Sequence, residues 1–350
     1  MILTKKHIEN LHRAKLDIYS RRDYLRLDMN ENIIGLPREF VKEVLSGIDP
    51  EYIATYPEYT TLIDMIAKHN MVAPDNICLS NGSDAAIKYI YDAYVSPGDK
   101  VLLTDPTFAM YPVYCDMFNA DSIFVSYLAD LSFPVEEFLK KLSRDIKLAV
   151  IVSPNNPTGT ALELSEINAI IERAYSKDVL LIVDEAYFYF HPETIIEKIN
   201  TFDNLIVLRT FSKICGMATS RLGYAVASAQ ITEYLRIVKP TYDVNGLSVL
   251  IAENLLTRLY IIEELLRNIH EGKEYIVDEL SKKGIEFKKG KANFVLIRCP
   301  DRVDKVVKGL FNENILVGGR FQQPFLKDFI RVTIGDKKIM QRFCDVFFTL

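Results

Sequence analysis

Lys213 stands in the stretch Thr210-Phe211-Ser212-Lys213, with Arg221 eight residues after it and Asp184 twenty-nine residues before it. A lysine amine forms a Schiff base with an aldehyde, hydroxyls and a planar guanidinium make a cup for a phosphate, and a carboxylate pairs with a protonated ring nitrogen. Aldehyde, phosphate and pyridinium are the three handles of pyridoxal phosphate. Each residue alone has a plainer reading: Lys213 as a solvated surface amine, Asp184 as the cap of the next helix. It is the three in this order that point to an enzyme holding that cofactor covalently.

Two loops add to the pattern. Leu79-Ser80-Asn81-Gly82-Ser83-Asp84 ends an apolar run and opens an amphipathic one, so the free N–H groups of a helix start could meet an anion there. Ser and Asp also cap helices well, and both readings of this stretch stay open. Ser153-Pro154-Asn155-Asn156-Pro157-Thr158-Gly159 follows the apolar run 147–152, at the strand end where α/β sheets bind their ligands. Its prolines fix an asparagine amide rigidly, although a turn without function has the same composition.

The elements that must position these residues are legible as alternation. Strand-like runs at 76–79, 100–103, 122–126, 147–152, 179–183, 205–208 and 223–227 alternate with amphipathic stretches such as 84–94, 108–118 and 164–176. Several runs are apolar on both faces. That predicts an α/β fold with a mostly parallel sheet covered by helices on each side. After Pro240 the pattern changes to one or two long helices over 247–282, strands at 294–297 and 329–334, and helices at 303–312 and 337–347, a smaller α+β unit.

At 350 residues, 49% hydrophobic and 25% charged, the chain has the composition of a soluble two-domain globular protein. A net charge of -5 with no Lys/Arg-rich block excludes a polyphosphate backbone as partner. The N-terminal segment, interrupted by charge every few residues, offers no signal peptide or membrane span, so a cytoplasmic protein is expected. Five dispersed cysteines without a CxxC pair predict neither disulfides nor a metal site; Cys215 alone is expected near chemistry. No GxxxxGK[ST] and no strand-linked GxGxxG speaks for a nucleotide enzyme.

In this order the segments resemble the fold-type I pyridoxal phosphate enzymes, and among them the histidinol-phosphate aminotransferase group of class I/II aminotransferases. The similarity runs from about Leu27 to the C-terminus. It is carried by Asn30-Glu31-Asn32, Tyr56-Pro57-Glu58, Asn81-Gly82-Ser83-Asp84, Asn155-Asn156-Pro157-Thr158-Gly159, Asp184-Glu185-Ala186-Tyr187, Ser212-Lys213 and Arg331-Val332-Thr333-Ile334-Gly335. The resemblance implies the fold-type I architecture: an arm of residues 1–35 joining the small domain and a dimer interface, a large cofactor domain of 36–240 and a small domain of 241–350.

It implies roles as well. Lys213 carries the Schiff base and moves the proton; Asp184 keeps the ring nitrogen protonated. Asn156 and Tyr187 bind the ring oxygen, and Phe108 stacks on the ring. Ser83, Asp84, Thr210, Ser212 and Arg221 hold the phosphate, and Tyr56 reaches the phosphate of a neighbouring subunit in a homodimer. Arg331 binds the carboxylate of a donor such as glutamate, and Asn156 and Gly35 lie near the substrate.

Two departures bear on the substrate. Ile33 stands where the group has proline, and Gly318 stands where it has an arginine after an Ile-Leu-Val strand, leaving Arg320 as the candidate grip for a substrate phosphate or as a solvated loop residue. The activity expected is transamination between an amino acid and a small oxo compound. A decarboxylase of a phosphorylated amino acid and a non-catalytic binding module of the same fold are the alternatives; retention of both Lys213 and Asp184 speaks against the last.

Overall fold

A computed structural model describes residues 4–9, 11 and 20–350. The rest of the N-terminal segment, including part of the stretch read for a signal peptide and part of the expected arm, lies outside the described residues. Twelve strands follow in chain order: β1 (Leu25–Leu27), β2 (Ile77–Ser80), β3 (Lys100–Asp105), β4 (Asp121–Ser126), β5 (Ile146–Val152), β6 (Leu180–Asp184), β7 (Leu205–Thr210), β8 (Gly223–Ala227), β9 (Phe287–Lys288), β10 (Phe294–Arg298), β11 (Ile315–Val317) and β12 (Phe329–Thr333).

Seven of them form one sheet in the order β2-β8-β7-β6-β5-β3-β4. From β4 to β7 every pairing is parallel, and β8 alone runs against its neighbours. Alternate residues feed two cores. Leu102, Ile151, Leu181, Val183 and Val207 face the helices Thr60–Asn70 and Leu164–Ser176, whereas Val101, Val150, Ile182, Ile206 and Leu208 face Ser83–Tyr94 and Met110–Phe118. This two-sided burial is why the central strands read as unbroken apolar runs. The α/β expectation with a mostly parallel sheet holds.

Beyond β8, the region read as one or two long helices is two, Gly246–Leu256 and Tyr260–Lys282. The second packs on the helix Lys337–Phe347 beside the antiparallel sheet β12-β10-β9. Gly272 permits this closeness, since a Cβ there would lie 2.0 Å from the carbonyl oxygen of Gly335. The short strand β1, not anticipated from its three residues, pairs in parallel with β11, 290 residues later in the register Leu25 to Ile315. That pairing brings the segment after it, 28–32, to the carboxyl ends of β6 and β7.

Candidate active site

The carboxyl ends of β5, β6 and β7 open into a cavity of about 200 Å³. Each wall follows from a local sequence feature. The helix Ser83–Tyr94 starts at Ser83 with Gly82 before it, at φ 78°, and no side chain caps it. Of the two readings of this stretch, the structure therefore favours the anion site: the first N–H groups remain available, and the helix dipole adds to them. A side chain at Gly82 would be strained by its positive φ and would push the Arg221 guanidinium aside, since a Cβ there would lie 2.4 Å from Nη2. Arg221 holds a left-handed backbone at φ 54°, a strain of order 1–3 kcal/mol that clusters at working sites. Its Nη1 donates to Ser212 Oγ at 3.2 Å and to the Ala218 carbonyl at 3.2 Å, both neutral partners. Ser83, Asp84, Thr210, Ser212 and Arg221 thus line one end of the cavity.

Asp184, the last residue of β6, is 3% exposed at the other end. Its Oδ2 accepts the Tyr111 hydroxyl at 2.8 Å, and its Oδ1 accepts the Ala186 N–H at 3.0 Å. The helix-capping reading of Asp184 does not hold: the next helical turn, Phe188–Phe190, has Tyr187 at its N-cap, and the Ala186 N–H bond closes a local turn instead. Burial pushes its carboxyl up to about 6, with the Tyr111 hydroxyl, the Ala186 amide and Lys213 pulling the other way. A buried carboxylate lacking a bonded cation is costly, and a protonated ring nitrogen is the partner that would relieve it. The donor cup at one end and the lone carboxylate at the other fit a phosphorylated pyridine between them.

That raised carboxyl has a measurable consequence. The folded value of about 6 exceeds the usual unfolded value of about 3.9, so between them the folded cofactor-free chain binds more protons than the unfolded one. Stability should fall as pH rises from about 4 through about 6, by up to roughly 3 kcal/mol. Urea unfolding of the cofactor-free protein should show this slope and Asp184→Asn should lack it; parallel pH profiles for the two would contradict the assignment.

Lys213 and Tyr187 complete the cavity wall with Phe108 and Asn156. Lys213 Nζ donates to the Met29 carbonyl at 3.3 Å and lies 5.5 Å from the centre of the Tyr187 ring. Phe108 meets the Tyr111 ring edge-on at 6.2 Å. In the proline-rich loop the rigid amide is that of Asn155, fully buried, with Nδ2 on the Pro106 carbonyl and Thr158 Oγ1 at 3.1 Å each. Asn156, its neighbour, faces the cavity and accepts from Nη1 of Arg331 through Oδ1. Arg331 also donates through Nη2 to the Asp28 carbonyl at 2.5 Å, while its shielded Nε has no protein partner. Burial pulls the Arg331 guanidinium below its ordinary pKa.

Arg320 and Gly35 do not line this cavity, and neither does Tyr56, which was expected in a second subunit's site. Arg320 is exposed, with Nε on Asp304 Oδ1 at 2.7 Å, so it is turned away from the cavity and the solvated-loop reading of it is the one observed. Gly318 bridges Arg331 through both backbone hydrogen bonds, at 2.9 and 2.8 Å, which fixes the direction of this loop and carries residue 320 off. Gly35, at φ 79°, sits in a turn whose N–H donates to Asn32 Oδ1 at 3.2 Å and does not line the cavity. Tyr56 is 72% exposed and stacks on Tyr242 at 4.3 Å, outside its own chain's cavity. Cys215 is buried behind the cavity with its thiol pushed up to about 12 by burial, so it offers no thiolate.

Two partners escaped the sequence reading. Tyr111, the second residue of the helix Met110–Phe118, carries its hydroxyl to Asp184. The pair Glu185–Arg209, 2.7 Å apart and buried, staples the ends of β6 and β7 next to Asp184 and Thr210. Among the described residues no cluster of His, Cys, Asp and Glu could hold a metal ion, and no helix is long and apolar enough to cross a membrane.

A two-sided α/β sheet with a lysine and a buried aspartate at its strand ends suits pyridoxal phosphate chemistry, and the protein is a pyridoxal-phosphate-dependent aminotransferase. Residues 22–347 match the family Aminotransferase class I and II, and the chain belongs to it. The histidinol-phosphate aminotransferase of Thermoanaerobacter pseudethanolicus is 37% identical over 338 residues, covering 94% of this chain and 95% of the relative. In fold, the chain is similar to the histidinol-phosphate aminotransferase of Sinorhizobium meliloti solved with pyridoxal-5'-phosphate, with a TM-score of 0.89, 20% identity and coverage of 98% and 96% of the two chains. The enzyme of that name from Clostridium acetobutylicum gives a TM-score of 0.84 at 24% identity, over 93% of this chain and 98% of the other.

Proposed function

We propose that the enzyme moves an amino group between a carboxylate-bearing donor, glutamate in the first instance, and a small oxo compound of the kind that its relatives named histidinol-phosphate aminotransferase use. The observation that carries this reading is the half-buried Arg331 guanidinium beside Asn156, which among the described residues has no carboxylate partner, at the edge of the Lys213 cavity. A planar fork so placed suits a carboxylate. When bound, the cofactor supplies a sink for the electron pair left as a bond to the substrate Cα breaks.

The chain's own residues do the rest. Arg331 would grip the substrate carboxylate and so orient the substrate against Lys213. Lys213 Nζ would be the point of covalent attachment and, once freed by the incoming amine, would take the Cα proton and deliver it to the cofactor's C4' carbon. Asp184 keeps the ring nitrogen protonated, Asn156 and Tyr187 hold the ring oxygen, and Phe108 covers one ring face. The amides of Ser83 and Asp84, the hydroxyls of Thr210 and Ser212, and Arg221 bind the phosphate.

The same reading makes the enzyme a cytoplasmic homodimer with an arm of residues 1–35, a large domain of 36–240 and a small domain of 241–350. Tyr56, exposed beside Tyr242 on the outside of its own chain, then serves a second copy's phosphate.

The deciding experiment converts the protein to its pyridoxamine phosphate form, mixes it with panels of 2-oxo acids and phosphorylated aldehydes and ketones, and records the return of visible absorbance. Return with an oxo acid is expected; carbon dioxide release without any need for an oxo acid would replace transamination by decarboxylation. Arg331→Ala should raise KM for glutamate by roughly 10- to 100-fold, the worth of one charge-assisted pair, while cofactor affinity stays as it was. An unchanged KM would exclude the carboxylate role.

A further inference from the structure

The motif Asn30-Glu31-Asn32 carries no role in the chemistry above, yet the segment around it touches three chemical side chains in succession. The Asp28 carbonyl accepts Arg331, the Met29 carbonyl accepts Lys213, and Asn30 Nδ2 donates to Tyr187 Oη at 2.8 Å. Asn30 is 1% exposed, in a left-handed backbone at φ 55° that asparagine tolerates better than most residues. Its backbone N–H donates to Thr333 Oγ1 at 3.0 Å, and its carbonyl accepts Asn293 Nδ2 at 3.1 Å.

The Asn30 amide presents Oδ1 to Thr333 and Nδ2 to Tyr187, and the neighbouring contacts agree with that orientation. Thr333 Oγ1 already accepts the Asn30 N–H, so its own hydrogen is free to donate, and it does so to Asn30 Oδ1 at 3.2 Å. The amide nitrogen is left facing Tyr187 and can only donate. With a lone pair of Oη taken up, the Tyr187 hydroxyl hydrogen is left to point into the cavity. Packing of the Tyr187 ring edge-on to Phe294, at 5.9 Å, holds the phenol in place.

We propose that Asn30 is a positioning residue that fixes the Tyr187 hydroxyl as a hydrogen-bond donor toward the ring oxygen of the bound cofactor. This rests on the reading of Tyr187 as a ring-oxygen ligand. The charges facing Tyr187 are Lys213 over its ring and Arg331 beyond Phe294, with Asp184 deeper in the cavity. A donor on the ring oxygen stabilises the deprotonated chromophore, so losing it raises the pH midpoint of the visible absorbance.

Asp is the informative replacement. Asn30→Asp keeps the acceptor for Thr333 but presents a second acceptor to Tyr187, which turns the phenol hydrogen away from the cavity. The test is a pH titration of visible absorbance for the holoenzyme, N30D, Y187F and the double variant. N30D and Y187F should each raise the midpoint by about one pH unit. Because the new carboxylate itself acts on the chromophore, the decisive quantity is the shift that N30D adds in the Y187F background, which should be much smaller than in the wild type. Equal N30D shifts in the two backgrounds would overturn the proposal.

Asn30→Gly adds no charge and suits the left-handed backbone. Should N30D not fold, an N30G holoenzyme with a raised midpoint supports the role, and one with an unchanged midpoint refutes it. A wild-type protein that never acquires visible absorbance would instead sink the reading of the cofactor site itself.

Discussion

Lys213→Ala is expected to abolish covalent attachment and to lower turnover by at least about 10⁴-fold, the combined loss of a nucleophile and of a positioned acid–base group. Cofactor should still bind, because the Ser83 helix start, Ser212 and Arg221 stay in place around the phosphate. The local damage is small. Lys213 is half-buried, and its ammonium gives up one hydrogen bond, to the Met29 carbonyl; neighbouring Ile214 and Cys215, which are buried, keep the turn packed. A melting temperature near that of the wild type is therefore expected alongside the kinetic loss. Borohydride treatment followed by peptide mass spectrometry gives the complementary result: a reduced cofactor adduct on Lys213 in the wild type and none in the variant. An adduct on another lysine, or near-normal turnover in the variant, would end the assignment.

How far the sequence carried this reading differs from one residue to the next. The strands β5 to β8 were legible because burial on both faces leaves an unbroken apolar signal that few other elements share. Lys213, Asp184 and Arg221 were legible because their side-chain chemistry narrows what they can do at a strand end. Tyr111 was not. Its hydroxyl reaches Asp184 across 73 residues, and a tyrosine inside an apolar helix reads as core. Asn30 was visible as a motif but not as a contact, since Tyr187, Asn293 and Thr333 converge on it only when β1 pairs with β11. Arg320 stayed open between two readings for the converse reason. A free-looking arginine near a ligand loop cannot declare, from sequence, that Asp304 sixteen residues earlier will turn it outward.

Asp184→Ala should cost the enzyme about 10²- to 10³-fold in turnover, the scale on which one preorganised charge stabilises charge that develops during reaction. The argument turns on where the carboxylate sits. With burial holding it near 6 despite Lys213 nearby and with no cation bonded to it, the group gains most from a ring N–H⁺ and returns the gain by keeping that proton in place. Tyr111 bears on the same balance by donating to Oδ2 at 2.8 Å, which favours the ionised form and fixes the carboxylate plane. Tyr111→Phe should therefore lower turnover less than Asp184→Ala, and the double variant should be no worse than Asp184→Ala alone, because the phenol acts only through the carboxylate. A 15N chemical shift of labelled cofactor reads the ring nitrogen directly: protonated in the wild type, unprotonated in Asp184→Ala. If the ring nitrogen keeps its proton without Asp184, or if Tyr111→Phe and Asp184→Ala multiply independently, the carboxylate at the end of β6 does not hold the pyridinium.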